Sequence, residues 1–141
     1  MQNKKNRFQA GFTIIELIVV IAIIAVLAAI VLINVTGYIN KGKDSAIKGN
    51  LTSLMSDAAV AFDSADAAYN GDNGVCTKYF PAINAAIAGA GGTATCAANS
   101  TQWCASSTLK VDSSNFFCVD YTGKKIEGAA ATCNATTYTC P

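Results

Sequence analysis

A nearly unbroken apolar run close to the start of the chain constrains the fold more than any other feature. Between Phe12 and Ile33 it contains 16 Leu, Ile, Val or Phe residues, and Glu16 is its single charged residue. On an insertion scale the apolar residues gain roughly 8 kcal/mol in a membrane, whereas one carboxylate costs at most about 3 kcal/mol. The run is therefore predicted to cross a membrane, where Glu16 needs a partner and indicates a function.

A short basic leader precedes the apolar run. Its charged residues are Lys4, Lys5 and Arg7, and it contains no acidic residue. Because positive charge keeps a flanking segment in the cytoplasm, we expect the N-terminus inside and everything after the run outside. An ordinary secretory signal would have a shorter apolar region followed by an Ala-x-Ala site, which the run lacks. A signal anchor without special processing is the alternative, which the Gly11-Phe12 junction and Glu16 disfavour.

The junction of leader and run resembles the processing site of type IV pilins, a family that also includes secretion pseudopilins and competence pilins. The resemblance rests on the basic leader and on the residues Gly11-Phe12-Thr13-Ile14-Ile15-Glu16. It implies that the prepilin peptidase cuts after Gly11 and methylates the new N-terminal Phe12, so that Glu16 becomes the fifth residue of the mature chain. It also implies the α+β type IV pilin fold, in which an N-terminal helix packs on a small antiparallel sheet.

The resemblance implies a structural subunit and not an enzyme. Such subunits wait in the cytoplasmic membrane until an ATP-driven machinery polymerises them through their N-terminal helices into an extracellular filament. Adhesion, twitching motility and DNA uptake are activities of the family, and no residue selects among them. Three alternatives stay open: a type II secretion pseudopilin or competence pilin, a minor tip pilin that binds DNA or a surface, and a membrane-tethered extracellular enzyme.

Processing suggests a partner for Glu16. Cleavage converts the amide nitrogen of Phe12 into an ammonium group, and the ammonium of a neighbouring subunit can then neutralise Glu16 where unpaired charge is costly. Our hypothesis is that processing switches the subunit to assembly. Tip subunits of the family often lack the equivalent of Glu16, so its presence favours the main filament subunit.

Composition narrows the function classes further. The chain has no histidine, which removes the commonest general base and a common zinc ligand. Without the leader, seven basic residues stand against nine acidic ones, so bulk charge does not favour nucleic acid binding. Asp120 is either a calcium ligand or a turn-stabilising residue, and the lack of neighbouring acids favours the turn. We therefore predict no catalytic site, no metal and no cofactor.

Four segments are expected along the chain: the leader 1–11, a membrane or filament-core half of a helix 12–40, an amphipathic half 41–70 and a disulfide-rich head 71–141. Apolar residues at steps of three and four, from Ile47 to Tyr69, predict the amphipathic half. Turn residues at 70–74 predict its end. Many pilins carry Gly and Pro at the positions of Ala25 and Ile33, and without them the sequence does not locate a looser stretch of helix.

The head is predicted to contain a short helix and an antiparallel sheet. The predicted elements are a helix over Pro81–Ala88, a flexible loop over Gly89–Ala94 and strands over Thr108–Val111, Phe116–Tyr121, Lys124–Glu127 and Thr136–Thr139. Alternation places Phe117, Val119 and Tyr121 on one face, which we expect to cover the helix. Phe80 and Trp103 are the other large core candidates.

All six cysteines lie after the apolar run, and no two have Cys-x-x-Cys spacing. An even set in an exported region predicts three disulfides. Six cysteines allow 15 pairings, and the sequence alone does not choose among them. The pairing that we favour is Cys76 with Cys96, Cys104 with Cys133 and Cys118 with Cys140, of which the last resembles the disulfide that brackets the C-terminal loop of many pilins.

Overall fold

A computed structural model of the chain describes residues 11–64 and 68–141. The chain divides into two compact units, Met1–Thr36 and Gly37–Pro141. The elements are helix α1 (Ile14–Ser64), a π-helical turn (Val75–Tyr79), helix α2 (Phe80–Ala90) and strands β1 (Ala94–Ala98), β2 (Trp103–Thr108), β3 (Phe116–Asp120) and β4 (Lys125–Gly128). The α+β architecture expected from the resemblance is confirmed: an N-terminal helix, a small antiparallel sheet and three disulfides.

In the first unit, the described apolar side chains of α1 are not covered by other described residues of that unit. Every residue from Gly11 to Thr36 whose side chain is described is exposed. Among the described residues, α1 is the one helix that is long and apolar enough to cross a membrane. The predicted membrane-spanning run is thus a helix of suitable length and composition.

In the second unit, α1 buries one apolar stripe. Ile47, Leu51 and Leu54 are completely buried, and Ala58 and Ala61 continue the same stripe at steps of three and four. The predicted amphipathic pattern is confirmed here, except that Ala59, which was assigned to the apolar stripe, is exposed.

The helix ends earlier than predicted. Its last described residue is Ser64, and residues 68 and 69 are not helical, whereas the sequence pattern placed the end near Tyr69. Ala65 of the predicted stripe lies outside the described residues, and Tyr69 is not helical. The backbone N–H of Tyr69 donates to the carbonyl of Ser100 at 3.2 Å, and its ring lies 4.8 Å from that of Phe62. Tyr69 is therefore held in the core by the head, which an i to i+4 pattern cannot reveal.

Helix α2 matches its prediction, but the flexible loop predicted after it is wrong. Ile83 and Ile87 face the core, and α2 ends at Ala90, where Gly91 takes a left-handed conformation with φ 89°. The N–H of Gly91 donates to Ala88 and that of Gly92 donates to Ile87, which is the Schellman arrangement. A Cβ on Gly92 would lie within 3 Å of the side chains of Ile47, Ile87 and Ser107, so this glycine permits close packing and not flexibility.

The sheet is an antiparallel meander in the order β1-β2-β3-β4. Strands β3 and β4 match their predictions within one residue at each end. Strands β1 and β2 were not predicted from the sequence. They consist largely of Ala, Ser, Thr and Cys and so lack a strong strand pattern. The predicted strand Thr108–Val111 is wrong because β2 ends at Thr108 and Asp44 then accepts hydrogen bonds from the N–H groups of Lys110 and Val111.

The predicted closing strand Thr136–Thr139 is also wrong. Asn134 and Thr139 form one isolated bridge, and a turn connects them. The side-chain oxygen of Asn134 accepts the N–H groups of Thr136 and Thr137 at 2.8 and 3.2 Å. This local bonding replaces the strand ladder.

Each face of the sheet has its own core. On the helix face, Trp103, Ala105 and Val119 join the buried stripe of α1, and Phe117 packs against them as predicted. Trp103 and Phe80 take part in this core as predicted, whereas Tyr121 is exposed. The opposite face carries a smaller cluster of Cys118, Ala131, Cys140, Phe116, Ile126 and Cys133.

Three disulfides connect the elements of the head. They join Cys76 to Cys96, Cys104 to Cys133 and Cys118 to Cys140, with Cα–Cα distances of 5.7, 5.4 and 5.8 Å. The first ties the π-helical turn to β1, and the other two tie residues 129–141 to the central strands. These pairs are the ones that we favoured among the 15.

Candidate processing and assembly site

The candidate site lies at the start of α1, where Thr13 and Glu16 form a reciprocal cap. One carboxylate oxygen of Glu16, Oε2, accepts hydrogen bonds from the backbone N–H and the hydroxyl of Thr13, both at 2.8 Å. The N–H of Glu16 donates in return to the Thr13 hydroxyl at 3.3 Å. Thr13 is the residue before the first helical one, and Glu16 is the third helical residue. This arrangement is a capping box, which satisfies N–H groups at the helix start.

The cap was missed in the sequence analysis, although the signal for it was present. Thr13-x-x-Glu16 before an apolar run has the spacing of a capping box. We interpreted Glu16 only as a charge without a partner in an apolar segment. The structure gives it a second role, because the same carboxylate also fixes where the helix begins.

The cap leaves part of the carboxylate open. Within the described residues, Oε1 of Glu16 accepts no hydrogen bond, and Glu16 is exposed. A cation from outside the chain can therefore approach Oε1 without breaking the bonds to Thr13. The site accordingly combines an intramolecular cap with an open position for an intermolecular ion pair.

The expected cleavage junction is open to its surroundings. Gly11 and Phe12 lie before the helix, and Phe12 is 86% exposed. Among the described residues other than its chain neighbour, no atom lies within 4 Å of the place where a Cβ on Gly11 would sit. An exposed segment outside regular secondary structure is what a protease requires of its substrate. Lys4, Lys5 and Arg7 of the leader lie outside the described residues.

An uncovered apolar surface follows the site along α1. Its large residues in the first unit are Ile14, Ile15, Leu17, Ile18, Val19, Val20, Ile21, Ile23, Ile24, Val26, Leu27, Ile30, Val31, Leu32 and Val35, which are 45% to 78% exposed. Shallow space of about 300 Å³ lies beside Ala22, Ile23, Val26 and Leu27. A contiguous apolar surface of this kind marks contact with a membrane or with other protein.

Within the second unit, a polar cleft lies between α1 and the head, but its described residues bring no metal-binding group together. About 320 Å³ of space is lined in part by Asp44, Lys48, Asp112 and Glu127. Lys48 pairs with Glu127 at 2.7 Å, and the buried Asp44 accepts from backbone N–H groups. Among residues 11–64 and 68–141, no group of three or more His, Cys, Asp or Glu side chains is placed to hold a metal ion.

Asp120 stabilises a turn, as predicted, and also holds the end of the chain. Its Oδ1 accepts from the N–H and hydroxyl of Thr122 at 2.9 and 2.6 Å, and its Oδ2 accepts from the N–H of Cys140 at 3.0 Å. Burial alone would raise the pKa of Asp120, but these bonds together outweigh burial and lower the pKa. The side chain of Lys124 adds hydrogen bonds to the carbonyls of Cys140 and Pro141.

Comparison with known proteins identifies the N-terminal part of the chain. Residues 6–32 match the family model described as the prokaryotic N-terminal methylation motif. No curated protein and no solved structure matches the chain. The matched residues are the class III signal peptide of type IV pilins and pseudopilins, and they contain the Gly11-Phe12 junction and Glu16. With this motif at the start of an apolar helix and a small disulfide-bonded sheet after it, the chain is similar to type IV pilin-like and pseudopilin proteins.

Proposed function

We propose that the chain is the major subunit of a type IV pilus. The prepilin peptidase cuts it between Gly11 and Phe12 and methylates the new N-terminus. Before assembly the subunit is held in the cytoplasmic membrane by α1, with the leader inside and the head outside. The assembly ATPase and its membrane platform then extract it into a homopolymer through the N-terminal helix. No activity of an enzyme is required for this role.

The observation that carries the proposal is that Glu16, at the start of an exposed apolar helix, has a carboxylate that is only partly used by hydrogen bonds. Oε2 is bound to Thr13 of the same chain, and the exposed carboxylate is free to meet a second group. In apolar surroundings a carboxylate without a countercharge is costly. The ammonium that cleavage creates on Phe12 of a neighbouring subunit supplies that countercharge at the same end of the molecule.

The identity of the mature protein is tested on filaments sheared from cells. Mass spectrometry of the sheared material should find this polypeptide as the abundant component, beginning with N-methyl-Phe12. A chain that begins at Met1, or that stays in the membrane fraction, would contradict the proposal. Abundance separates the main subunit from the alternatives, because a tip pilin or a pseudopilin would be scarce or missing in long filaments.

The role of Glu16 is tested with two substitutions that separate its charge from its cap. Glu16→Gln removes the charge and keeps an acceptor at the third helical position, where Gln also forms capping boxes. Glu16→Ala removes both. If the intersubunit ion pair drives assembly, both variants should be inserted and cleaved normally, and both should produce few filaments.

The matched control is Thr13→Val, which removes the capping hydroxyl and leaves the charge of Glu16. It should lose part of the cap, worth about 1 kcal/mol, and still form filaments. Normal filaments from Glu16→Gln would refute the ion pair and assign Glu16 to the cap alone.

A further inference from the structure

The loop between α1 and the π-helical turn contains a chemically reactive pair of dipeptides. Asn70-Gly71 and Asn73-Gly74 are the two Asn-Gly sequences of the chain, and they stand three residues apart. In an Asn-Gly sequence the glycine offers no side chain to obstruct attack of its backbone nitrogen on the asparagine side chain. By sequence alone, the two positions should therefore react alike.

The structure makes the two asparagines different. Asn70 and Gly71 are both exposed. Within the described residues, the Asn70 side-chain amide has no hydrogen-bond partner and the N–H of Gly71 has no acceptor. The attacking nitrogen and the amide that it attacks are thus both unrestrained at this position.

At Asn73 the same two groups are restrained. The side-chain oxygen of Asn73 accepts from the ammonium of Lys78 at 3.2 Å. The N–H of Gly74 donates to the carbonyl of Gly71 at 3.1 Å, and Gly74 is buried. A Cβ on Gly74 would lie 2.4 Å from the carbonyl oxygen of Tyr69, so the backbone there is tightly packed. Reaction at Asn73 requires this packing to open first.

We propose that Asn70 is a site of spontaneous deamidation and that the fold protects Asn73. The nitrogen of Gly71 attacks Cγ of Asn70 and forms a succinimide ring, while its proton leaves with the side-chain nitrogen as ammonia. Water then opens the ring. Breaking the bond from nitrogen to Cγ gives aspartate, and breaking the bond from nitrogen to the backbone carbonyl carbon gives isoaspartate. No enzyme, cofactor or oxidant takes part.

The position of Asn70 gives the reaction a structural consequence. Isoaspartate adds one carbon to the backbone at residue 70. The neighbouring carbonyl of Tyr69 accepts the N–H of Val75 at 2.9 Å, and Gly74 packs against Asn70 itself. The added carbon falls inside this contact, and either product adds a negative charge to the loop. Deamidation is therefore an irreversible modification of this loop.

The experiment incubates the full-length chain, oxidised and folded in detergent, in water enriched in the heavy oxygen isotope. After reduction and trypsin digestion, cleavage at Lys48 and Lys78 releases one peptide that contains both asparagines. Fragmentation then assigns each deamidated product to residue 70 or residue 73 and distinguishes aspartate from isoaspartate. One heavy oxygen per product shows that the deamidation took place during the incubation, and isoaspartate among the products shows that it passed through the succinimide ring.

In the folded chain we expect deamidation at Asn70 to be faster than at Asn73 by at least about fivefold, the factor that one ordinary hydrogen bond represents. In the reduced chain unfolded in urea, both positions should react at similar rates. Asn70→Gln should abolish rapid deamidation at residue 70, because its longer side chain disfavours ring closure. The matched variant Asn73→Gln should leave the rate at Asn70 unchanged.

Three results for the folded chain would overturn the proposal. They are similar rates at both positions in the folded chain, faster reaction at Asn73, and a stable Asn70 in the folded chain under conditions where the unfolded chain reacts. A preference for Asn70 that persists after unfolding would also overturn it, because the fold would then not be the cause.

Discussion

The two parts of helix α1 contain the same apolar residue types, which are exposed in the first part and, along one stripe, buried in the second. In the first unit, Ile24 and Leu27 are 58% and 57% exposed. In the second unit, Ile47, Leu51 and Leu54 are completely buried against the head. The helix is continuous from Ile14 to Ser64, so secondary structure does not distinguish the two parts. The difference is whether the chain itself supplies a cover.

This difference indicates two sources of stability. The second unit is held by its own core, its three disulfides and its buried Asp120. The first unit has no described side chain that is buried, so its apolar surface is left open to lipid or to other protein. A substitution in the second unit should therefore change the stability of the isolated subunit, whereas one in the first unit should change membrane insertion or assembly.

The largest expected effect comes from a cavity in the buried stripe. Leu54→Ala should lower the free energy of unfolding of the head by about 2–5 kcal/mol, the usual cost of such a truncation. Urea unfolding of the full chain in detergent measures this through the fluorescence of Trp103, the one tryptophan of the sequence, which is buried in the head. Ile24→Ala is the matched control and should leave the Trp103 transition in place. If the urea transition shifted equally in both variants, the conclusion that only the second part of α1 stabilises the isolated subunit would be wrong.

The next effect concerns the disulfide that closes the C-terminal segment. Replacing Cys118 and Cys140 together by serine should destabilise the head by about 2–4 kcal/mol, since the crosslink spans 22 residues. The same urea titration measures the loss. Peptide mapping without reduction supplies the control by checking that Cys76–Cys96 and Cys104–Cys133 still form. Recovery of Cys118 bonded to any other cysteine in the parent chain would contradict the connectivity.

A smaller, pH-dependent effect is expected at Asp120. Its folded-state pKa is lowered, so its contribution is complete above the unfolded value of about 4 and is lost as the pH falls through the folded pKa. Asp120→Asn should cost about 1–3 kcal/mol near neutral pH, because buried donors lose a charged acceptor. The difference from the parent chain should shrink below about pH 4.

Asp112 provides the control for that experiment. Hydrogen bonds from the hydroxyl and the N–H of Ser114 also lower its pKa, but Asp112 is fully exposed. Asp112→Asn should therefore change the pH dependence of unfolding less than Asp120→Asn does. An Asp120→Asn deficit that stays constant from neutral pH to pH 2 would show that the carboxylate charge plays no part.

The sequence predicted those features whose signal is local and strong. The apolar run, the amphipathic stripe from Ile47, helix α2 and strands β3 and β4 all have clear periodicity or turn residues. It failed where tertiary contacts decide the backbone. Strand β2 is buried on both faces although, apart from Trp103, it consists of small residues, and hydrogen bonds to Asp44 set the path of the chain after Thr108. Neither the burial of β2 nor the hydrogen bonds to Asp44 can be predicted from the residues that are neighbours in the sequence.

The candidate site was predicted from its residues but not from its geometry. Gly11, Phe12 and Glu16 stand out in the sequence because a carboxylate interrupts an apolar run after a glycine. The spacing Thr13-x-x-Glu16 also indicates a capping box, but only the unusual charge of Glu16 was interpreted. The protection of Asn73 beside an open Asn70 was not readable, because it depends on where the Gly74 backbone packs.

The smallest expected effect tests whether a surface ion pair adds to the stability of the head. Lys48 and Glu127 connect α1 to β4 at 2.7 Å, but their side chains remain 33% and 48% exposed. A double-mutant cycle with Lys48→Met and Glu127→Gln should give a coupling of about 0.2–1 kcal/mol, and added salt should reduce it. Lys125→Met, at an exposed position of β4, controls for the general loss of a positive charge. A coupling above about 2 kcal/mol that resists salt would mean that the pair is shielded from water, and that the second unit depends on charge as well as on its core.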